Sequence, residues 1–298
     1  MNDLAIQTMG LGKSFPGGVV AVDGVDLQVQ RGAVYGLIGR NGAGKTTLLR
    51  MMAGILKPDR GSLRVFGSDP WGAPAEARAR VAYVSQNQRL PGWMTTEDLS
   101  AYASHFYERW DQDYARELAE HFEVPWERPV EALSGGEQQK ASILVALAGR
   151  SELLLLDEPA GGLDAIARRD LVRQIVDVIA RGDGSTVVFS THIIADLERV
   201  ADHVGILGKG RLLESRRLDE LQGSVRRVQV IFEGAPPADF LLSGALRSHR
   251  EGSVVTAIVR IPDDAALDPV RRIPGARVQV FPLGLEEFYI ELFGSRED

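Results

Sequence analysis

One short run of the chain has the residue types and the spacing of a phosphate-binding loop. The run fits the pattern G-x-x-x-x-G-K-[ST] and consists of Gly39, Arg40, Asn41, Gly42, Ala43, Gly44, Lys45 and Thr46. Glycines let the backbone turn tightly, so that successive N–H groups point at phosphate oxygens. Lys45 is expected to reach the β- and γ-phosphates of a nucleotide, and the Thr46 hydroxyl is expected to ligate Mg²⁺.

The predicted elements on either side of the loop support this interpretation. The apolar run Val34–Ile38 precedes it and predicts a strand, and Lys45–Gly54 follows it and predicts a helix. The N-terminus of a helix adds positive potential where phosphates bind. A glycine-rich turn that matches the pattern by chance is the alternative, and the strand–loop–helix order argues against it.

A second candidate site is an acidic pair at the end of an apolar run. Leu153–Leu156 predicts a buried strand, and Asp157 and Glu158 follow it directly. Such a strand places a carboxylate beside a nucleotide-bound magnesium, so Asp157 is a candidate metal residue. Glu158 is a candidate general base that polarises the attacking water. The alternative is that this acidic pair is only a solvated strand end. The phosphate loop upstream argues against that alternative.

A third run, Ser134-Gly135-Gly136-Glu137, precedes a predicted helix at Glu137–Ala148. Ser134 followed three residues later by Glu137 is a capping box. A helix N-terminus with two glycines and a hydroxyl is also an anion site that can hold a γ-phosphate. Both interpretations hold together, because the cap builds the site.

The elements that must position these residues alternate along the chain. From Leu4 to about Gly223, strand-like runs alternate with amphipathic helices, which predicts an α/β fold with a parallel sheet covered on both faces. Leu4–Thr8 and Val25–Val29 alternate apolar and polar residues and predict antiparallel strands at one edge. Leu218–Gly223 is interpreted as a hinge before a small α+β domain.

Composition narrows the class of protein further. The chain has 298 residues, a net charge of −7 and no cysteine. The length suggests about two domains. The absence of cysteine excludes disulfide scaffolds, cysteine-ligated zinc and thiol nucleophiles. The acidic balance argues against a nucleic-acid partner. The sequence shows no export signal and no membrane-length apolar run, so a cytoplasmic location is expected.

The three motifs, in this order and spacing, resemble the ATP-binding subunits of ABC transporters. The likeness covers roughly Leu4–Gly223, and Leu-Ser-Gly-Gly is its most specific part. It implies a P-loop NTPase parallel sheet with an antiparallel edge subdomain and a helical subdomain at about 87–150. The ATP-binding domain then spans 1–223, and 224–298 forms a small α+β accessory domain. That addition is similar to the bacterial exporter-type (ABC-2) branch.

The resemblance assigns further roles. Phe15 matches the aromatic residue that stacks on adenine, although a lone phenylalanine is also a common core residue. Gln86 matches a glutamine that contacts Mg²⁺ and water, with Gln88 as a competing assignment. His192 matches a histidine that senses the γ-phosphate, and otherwise would be a capping or core residue. Asp164 lies in Gly162-Leu163-Asp164, a loop that reaches the other subunit.

The complete set of site residues follows from the motifs and the resemblance. The catalytic set is Lys45, Gln86, Glu158 and His192, and the Mg²⁺ ligands are Thr46, Gln86 and Asp157. The ATP-binding set is Phe15, Gly39, Arg40, Asn41, Gly42, Ala43, Gly44, Lys45, Thr46, Thr47, Ser134, Gly135, Gly136, Glu137 and Asp164. The sequence departs from the common pattern of the family in three places and keeps every catalytic group. The departures are Glu137, Lys140 and Ala160-Gly161.

The resemblance also implies partners. Two subunits bind head to tail, with the phosphate loop of one facing Ser134–Glu137 of the other; a homodimer is simplest, and a heterodimer with a paralogue stays open. Separate integral membrane permease subunits would hold the chain at the inner face of the membrane, through a segment at about Gln86–Phe122. The alternative is a soluble ABC-type ATPase that acts on a ribosome, nucleic-acid or protein complex. A GTPase would need Asn-Lys-x-Asp, which the sequence lacks.

Overall fold

A computed structural model describes residues 3–86, 89–161, 163–181, 184–261 and 264–293. The chain forms two compact units, residues 1–215 and 216–298. The division falls at residue 215 rather than at 223, and the assignment of an ATP-binding and an accessory domain stays a prediction. No helix among the described residues is long and apolar enough to cross a membrane.

The strands of the first unit make two sheets. They are β1 (Leu4–Phe15), β2 (Val19–Gln30), β3 (Val34–Ile38), β4 (Arg60–Val65), β5 (Val81–Val84), β6 (Leu153–Asp157), β7 (Thr186–Thr191), β8 (His203–Gly208) and β9 (Arg211–Arg217). The helices are α1 (Lys45–Met52), α2 (Ala75–Ala79), α3 (Thr96–Ser104), α4 (Gln112–His121), α5 (Gly135–Ala148), α6 (Ala165–Arg181) and α7 (Ile194–Leu197).

The central sheet positions the site. Its order is β5-β6-β7-β3-β8-β9, and the pairs β5–β6, β6–β7, β7–β3 and β3–β8 are parallel. All residues of β6 and β7 are buried, which explains their apolar sequences. Because parallel strands end at the same edge, the residues that follow β3, β6 and β7 come together there.

The second sheet of this unit is antiparallel, with β1 between β2 and β4. Buried side chains of β1, β2, α1 and the central sheet form one apolar core. Helices α3, α4 and α5 form the helical part of the unit, and α3 begins with a capping box between Thr95 and Asp98. The predicted fold class, including the antiparallel edge and the helical subdomain, is confirmed.

A cluster of charged and aromatic side chains joins the start of β6 to residues outside the central sheet. The Phe66 ring centroid lies 4.6 Å from the guanidinium carbon of Arg31 and 4.3 Å from that of Arg80. Arg80 donates to both carboxylate oxygens of Glu152, at 2.6 and 2.8 Å. The cluster therefore ties the loop after β4 and the residue before β5 to the residue before β6.

We expect Glu152→Gln to lower the free energy of unfolding by about 1 kcal/mol at neutral pH, because it breaks a two-bond ion pair. The Arg80 hydrogen bond lowers the pKa of Glu152. A carboxyl whose pKa is lower in the folded state stabilises it above the ordinary glutamate pKa, and the contribution is lost as pH falls through the lowered value. Urea unfolding at neutral and acidic pH, with the exposed Glu120→Gln as control, measures this. An undiminished effect in acid would contradict the ion-pair explanation.

The second unit is a small α+β structure. Its elements are α8 (Leu218–Ser224), β10 (Val225–Phe232), β11 (Ala245–Glu251), β12 (Val254–Arg260), α9 (Asp268–Arg271), β13 (Ala276–Pro282) and α10 (Leu285–Phe293). The four strands form an antiparallel sheet in the order β11-β12-β10-β13. One face carries the apolar core, which includes Val228, Val230, Val255 and Val259.

Two features of this unit differ from the sequence interpretation. The segment interpreted as a hinge, Leu218–Gly223, lies within helix α8, in which Leu218 and Leu221 are buried. Strand β11 was not predicted, because all seven of its residues are exposed and show no apolar alternation. Its pairing with β12, a nonlocal interaction, forms the strand.

Candidate active site

The phosphate-binding motif lies between β3 and α1, as its sequence predicts. Gly44 has a φ of +106°, and an added Cβ would lie 2.2 Å from the Ala21 carbonyl oxygen. Gly42 also has a positive φ, +82°, but an added Cβ there meets no atom within 4 Å. Gly44 is therefore required for both conformation and space, whereas Gly42 is required for conformation alone.

We expect Gly44→Ala to lower the free energy of unfolding by about 3 kcal/mol and to abolish nucleotide binding, because the new methyl group pushes the loop away from β2. Gly42→Ala is the matched control, and its left-handed backbone alone costs about 1 kcal/mol. Chemical unfolding and nucleotide titration of both variants measure the difference. Equal losses in the two variants would mean that the contact with Ala21 has no role.

Lys45 begins α1 and its side chain is only 6% exposed. Its ammonium donates to the Gly39 carbonyl at 2.7 Å and to the Arg40 carbonyl at 3.3 Å. Its Nζ also lies 3.1 Å from Glu158 Oε1, whose side chain is equally buried. That contact lacks hydrogen-bond alignment, so it is electrostatic. The structure thus brings together the lysine and the candidate base.

Asp157 is the centre of a hydrogen-bond network. Its Oδ1 accepts from Thr46 Oγ1 at 3.1 Å and from Ser190 Oγ at 2.8 Å, and its Oδ2 accepts from the Tyr83 hydroxyl at 3.2 Å. Burial, assisted by the Asp157 carboxylate, raises the pKa of Tyr83 to about 12, so this hydroxyl stays protonated and donates. Asp157 is itself almost completely buried.

Sequence interpretation missed Tyr83 and Ser190. Both lie in runs that were singled out for other residues, Tyr83 upstream of Gln86 and Ser190 upstream of His192. A polar residue near the end of an otherwise apolar strand is the signal that was available. Only the pairing of β6 with β5 and β7 reveals that both face the same carboxylate.

Glu158 and His192 meet at the same edge of the sheet. His192 Nδ1 lies 2.7 Å from Glu158 Oε2. The Glu158 backbone has a φ of +50°, which is unusual for a residue with a side chain and costs about 1–3 kcal/mol. Its N–H donates to the Ser190 side-chain oxygen at 3.0 Å. The backbone thus leaves the strand direction at Glu158, and its carboxylate lies between Lys45 and His192.

The donor chemistry at this edge fits Mg²⁺. Thr46 supplies a hydroxyl and Asp157 a carboxylate, and hard cations prefer such oxygen ligands. No group of three His, Asp or Glu residues suited to a metal occurs in the described ranges. A cation here would therefore depend on these two residues together with oxygens of a substrate and water. Within the described residues, Gln86 makes no hydrogen bond with Thr46 or Asp157. It lies instead near Gly161, where a Cβ built onto the glycine would be 3.6 Å from the Gln86 amide nitrogen.

The residues of the third motif lie at the N-terminus of α5. Ser134 Oγ accepts from the Glu137 N–H at 3.2 Å, and Glu137 Oε2 accepts from the Ser134 N–H at 2.7 Å. The Ser134 backbone hydrogen bond lowers the pKa of Glu137, so the cap is ionised at neutral pH. The predicted capping box is thus present, with Gly135 and Gly136 in the first turn.

The remaining site residues lie apart from the acidic cluster. Phe15 ends β1, is 39% exposed, and pairs with Val19, two residues before the Ala21 carbonyl that contacts Gly44. Asp164 accepts from the N–H groups of Ile166 and Ala167 at 2.9 and 3.0 Å and thereby caps α6. These bonds lower its pKa. Gly162 and the competing Gln88 lie outside the described residues.

The remaining members of the phosphate loop lie where the motif predicts. Arg40 and Asn41 are exposed, Ala43 is buried and donates its N–H to the Arg40 carbonyl at 3.1 Å, and Thr47 lies in the first turn of α1. A phosphate loop, a buried lysine and an acidic pair at the carboxyl edge of a parallel sheet define a P-loop NTPase.

Comparison with known proteins places the chain within this class. The protein-family model described as ABC transporter matches residues 22–161. The daunorubicin/doxorubicin resistance ATP-binding protein DrrA of Streptomyces peucetius is 33% identical over 99% of this chain and 94% of its own length. The ABC transporter ATP-binding protein YtrB of Bacillus subtilis strain 168 is 28% identical over 98% of this chain and 99% of its own.

A solved structure of the ATP-binding subunit of an ABC transporter is also similar, with a TM-score of 0.65 and 29% identity. It matches 73% of this chain and 92% of its own length. The chain belongs to the ABC transporter ATP-binding protein family, and it is an ATPase.

Proposed function

We propose that the chain is the ATP-hydrolysing subunit of an exporter, that it dimerises around two ATP molecules, and that it powers transport through separate membrane permease subunits. The observation that carries the catalytic part is the contact of one buried carboxylate, Glu158, with both Lys45 and His192. A general base and a phosphate-binding cation are groups that in-line phosphoryl transfer to water uses, and the resemblance to the family adds the histidine.

Glu158 is the general base in this proposal. It accepts a proton from water as the water oxygen bonds to the γ-phosphorus and the bond from that phosphorus to the β–γ bridging oxygen breaks. ADP and phosphate are the products. His192, 2.7 Å from Glu158 Oε2, is proposed to orient the carboxylate and to contact the γ-phosphate. Gln86 is proposed to position the water and to contact Mg²⁺.

Lys45 and the loop bind the phosphates. In the free chain the lysine contacts Glu158 and two loop carbonyls. On nucleotide binding we expect it to exchange the carboxylate for phosphate oxygens, which leaves Glu158 available for water. The backbone N–H groups of Gly39–Thr47 hold the remaining phosphate charge. Phe15, exposed at the end of β1, is proposed to stack on adenine.

The Thr46 hydroxyl and the Asp157 carboxylate are proposed to hold Mg²⁺, which when bound neutralises charge on the β- and γ-phosphates. Ser190 and Tyr83 position Asp157 through the hydrogen bonds that they donate to it. They therefore act through another residue and are positioning residues. When the Thr46 hydroxyl leaves Asp157 to bind the cation, the hydrogen bonds from Tyr83 and Ser190 would still hold the Asp157 carboxylate in place.

The proposed dimer follows from the motif count. One chain has one phosphate loop and one Ser134–Glu137 motif, and the resemblance to the family pairs them between two subunits. Ser134 Oγ already accepts from Glu137 N–H, so its own proton is available to donate to a phosphate of the facing subunit. Asp164 would approach the same interface. A homodimer is the simplest assembly.

The proposed membrane partner is supported by exposed aromatic residues in the helical part. Trp93 is 73% exposed, Tyr102 52% and Phe106 59%. The ring centroids of Tyr102 and Phe106 lie 5.2 Å apart, and adjacent exposed apolar side chains are typical of protein interfaces. The name of the Streptomyces relative describes drug resistance, which supports export as the direction of transport. The chain would then lie in the cytoplasm, bound to the inner face of the membrane through the permease.

The test uses a variant that binds ATP without hydrolysing it. Tagged Glu158→Gln protein is expressed in the native host, and membranes are solubilised gently with Mg-ATP. We expect a stoichiometric integral membrane protein to co-purify, and Lys45→Ala protein, which is expected to bind ATP weakly, is the control. Recovery of ribosomes, nucleic acid or soluble proteins alone would contradict the transport function in favour of a soluble ABC-type ATPase.

A further inference from the structure

The sheet of the second unit ends in two different edges. Edge strands expose unpaired backbone groups, and proteins protect them with charge or proline. Strand β11 is protected in this way: all its residues are exposed and it contains Arg247, His249, Arg250 and Glu251. Strand β13 has the sequence Ala-Arg-Val-Gln-Val-Phe-Pro, with Arg277 as its one charged residue. The second edge is thus the less protected of the two.

The register of β13 identifies which backbone groups its outer edge presents. The Glu233 N–H donates to the Gly275 carbonyl, so Gly275 and every second residue after it face β10. Val278 and Val280 therefore point their N–H and C=O groups away from β10. The Ala276 N–H is taken by the Ile273 carbonyl, and Pro282 has no N–H. In the described ranges, β13 pairs with β10 alone.

We propose that β13 pairs antiparallel with β13 of a second copy of this chain, on a two-fold axis at Gln279, and joins the two sheets. In this register Val278 of one copy lies opposite Val280 of the other, so the outward backbone groups bond each other. Gln279 lies opposite Gln279 in a pair without backbone bonds between them. Arg277 lies opposite Phe281, where a cation–π contact forms. The edge is therefore complementary to itself.

The partial burial of Val278 and Val280 also favours a second copy of β13 as the partner of this edge. Val278 and Val280 lie on the core side of the sheet beside Val230 and Val228, which are fully buried, yet they are only half-buried themselves. A second β13 would cover them with two more valines and extend both apolar cores across the axis. On the opposite side, the exposed Gln279 meets its own copy and the exposed Phe281 meets Arg277, so no like-charge pair forms. This contact needs no nucleotide and is separate from the proposed ATP-dependent dimer.

The first experiment uses the absence of cysteine from the chain. Gln279→Cys supplies a single thiol, and two residues in an antiparallel pair without mutual backbone bonds have Cα atoms about 4.5 Å apart, within the range of a disulfide. In nucleotide-free solution, with oxidised glutathione added as the oxidant, we expect a disulfide-linked dimer of the full chain to form at least about tenfold faster than for Ser248→Cys, because pairing raises the local thiol concentration. Ser248 is exposed on the protected edge, β11.

The second experiment exchanges charge at the axis. Gln279→Glu and Gln279→Lys each place like charges opposite each other, and Gln279 is exposed, so folding is expected to be retained. In sedimentation without nucleotide, the wild-type chain should be a dimer and each variant alone should be a monomer. An equal mixture of the Gln279→Glu and Gln279→Lys variants should again be a dimer, because the charges at position 279 are then opposite. Dimers of both variants, a monomeric wild type, or equal rates of cross-linking for Gln279→Cys and Ser248→Cys would overturn the proposal. Loss of the nucleotide-free dimer in these variants would say nothing about the proposed ATP-dependent dimer, which is tested separately.

Discussion

Replacement of Glu158 by glutamine is expected to lower the rate of ATP hydrolysis by about 10²–10⁴-fold, the range that a general base contributes. Glutamine keeps the shape of the side chain but cannot take the proton of the attacking water. ATP binding should survive, because Lys45 loses its carboxylate partner and keeps its contacts with the loop carbonyls. The measurements are phosphate release at saturating Mg-ATP and nucleotide binding by titration.

The matched control for this variant is Glu152→Gln. Glu152 directly precedes the same strand, at the end remote from the site, and its partner is Arg80. Its loss is expected to change stability slightly and turnover by less than about twofold. Combined with Gln279→Glu, which is expected to be monomeric without nucleotide, ATP-bound Glu158→Gln protein should also accumulate as a dimer in sedimentation. Hydrolysis at the wild-type rate would show that Glu158 is not the base, and His192 would then be the next residue to examine.

Lys45→Ala should have two separable effects. Nucleotide affinity should fall by at least about 100-fold, or about 2.7 kcal/mol, because the variant loses the cation that contacts the phosphates. The free chain should also lose about 3 kcal/mol of stability, because Glu158 stays buried without its ammonium partner. Titration with a fluorescent nucleotide and chemical unfolding measure the two effects.

A double-mutant cycle separates stability from binding. In Lys45→Met combined with Glu158→Gln, no uncompensated buried charge is left, so most of the lost stability should return while nucleotide binding stays weak. Additive losses of stability in the two single variants would show that the 3.1 Å contact contributes nothing to folding. Nucleotide affinity close to wild type in Lys45→Met would contradict the role of the lysine.

The sequence predicted the parts of the site that are contiguous in the chain. A few neighbouring residues were enough to predict the phosphate loop, the Asp157-Glu158 pair and the Ser134 cap. Their geometry comes from a turn, a strand end and a helix start, respectively, which are local features. Tyr83 and Ser190 could not be predicted in this way. Their contact with Asp157 depends on the lateral order of β5, β6 and β7, which no local pattern encodes.

The same distinction holds for the fold. The buried strands β3 and β6 were predicted from apolar runs, since a buried strand has to be apolar on both faces. The exposed strand β11 has no such requirement, and its sequence is compatible with a loop. Helix α8 was also not predicted: it is short, and Gly223 near its end is a residue typical of turns.

In the proposed function, the position of Glu158 between Lys45 and His192 would set an order of events. One oxygen of this carboxylate contacts Lys45 and the other contacts His192. A water molecule that enters before the nucleotide would meet a carboxylate whose charge is already paired with Lys45. If Glu158 is the base, an incoming triphosphate would draw Lys45 away and leave the carboxylate free to accept a proton from water. Substrate arrival and activation of the base would then be a single event.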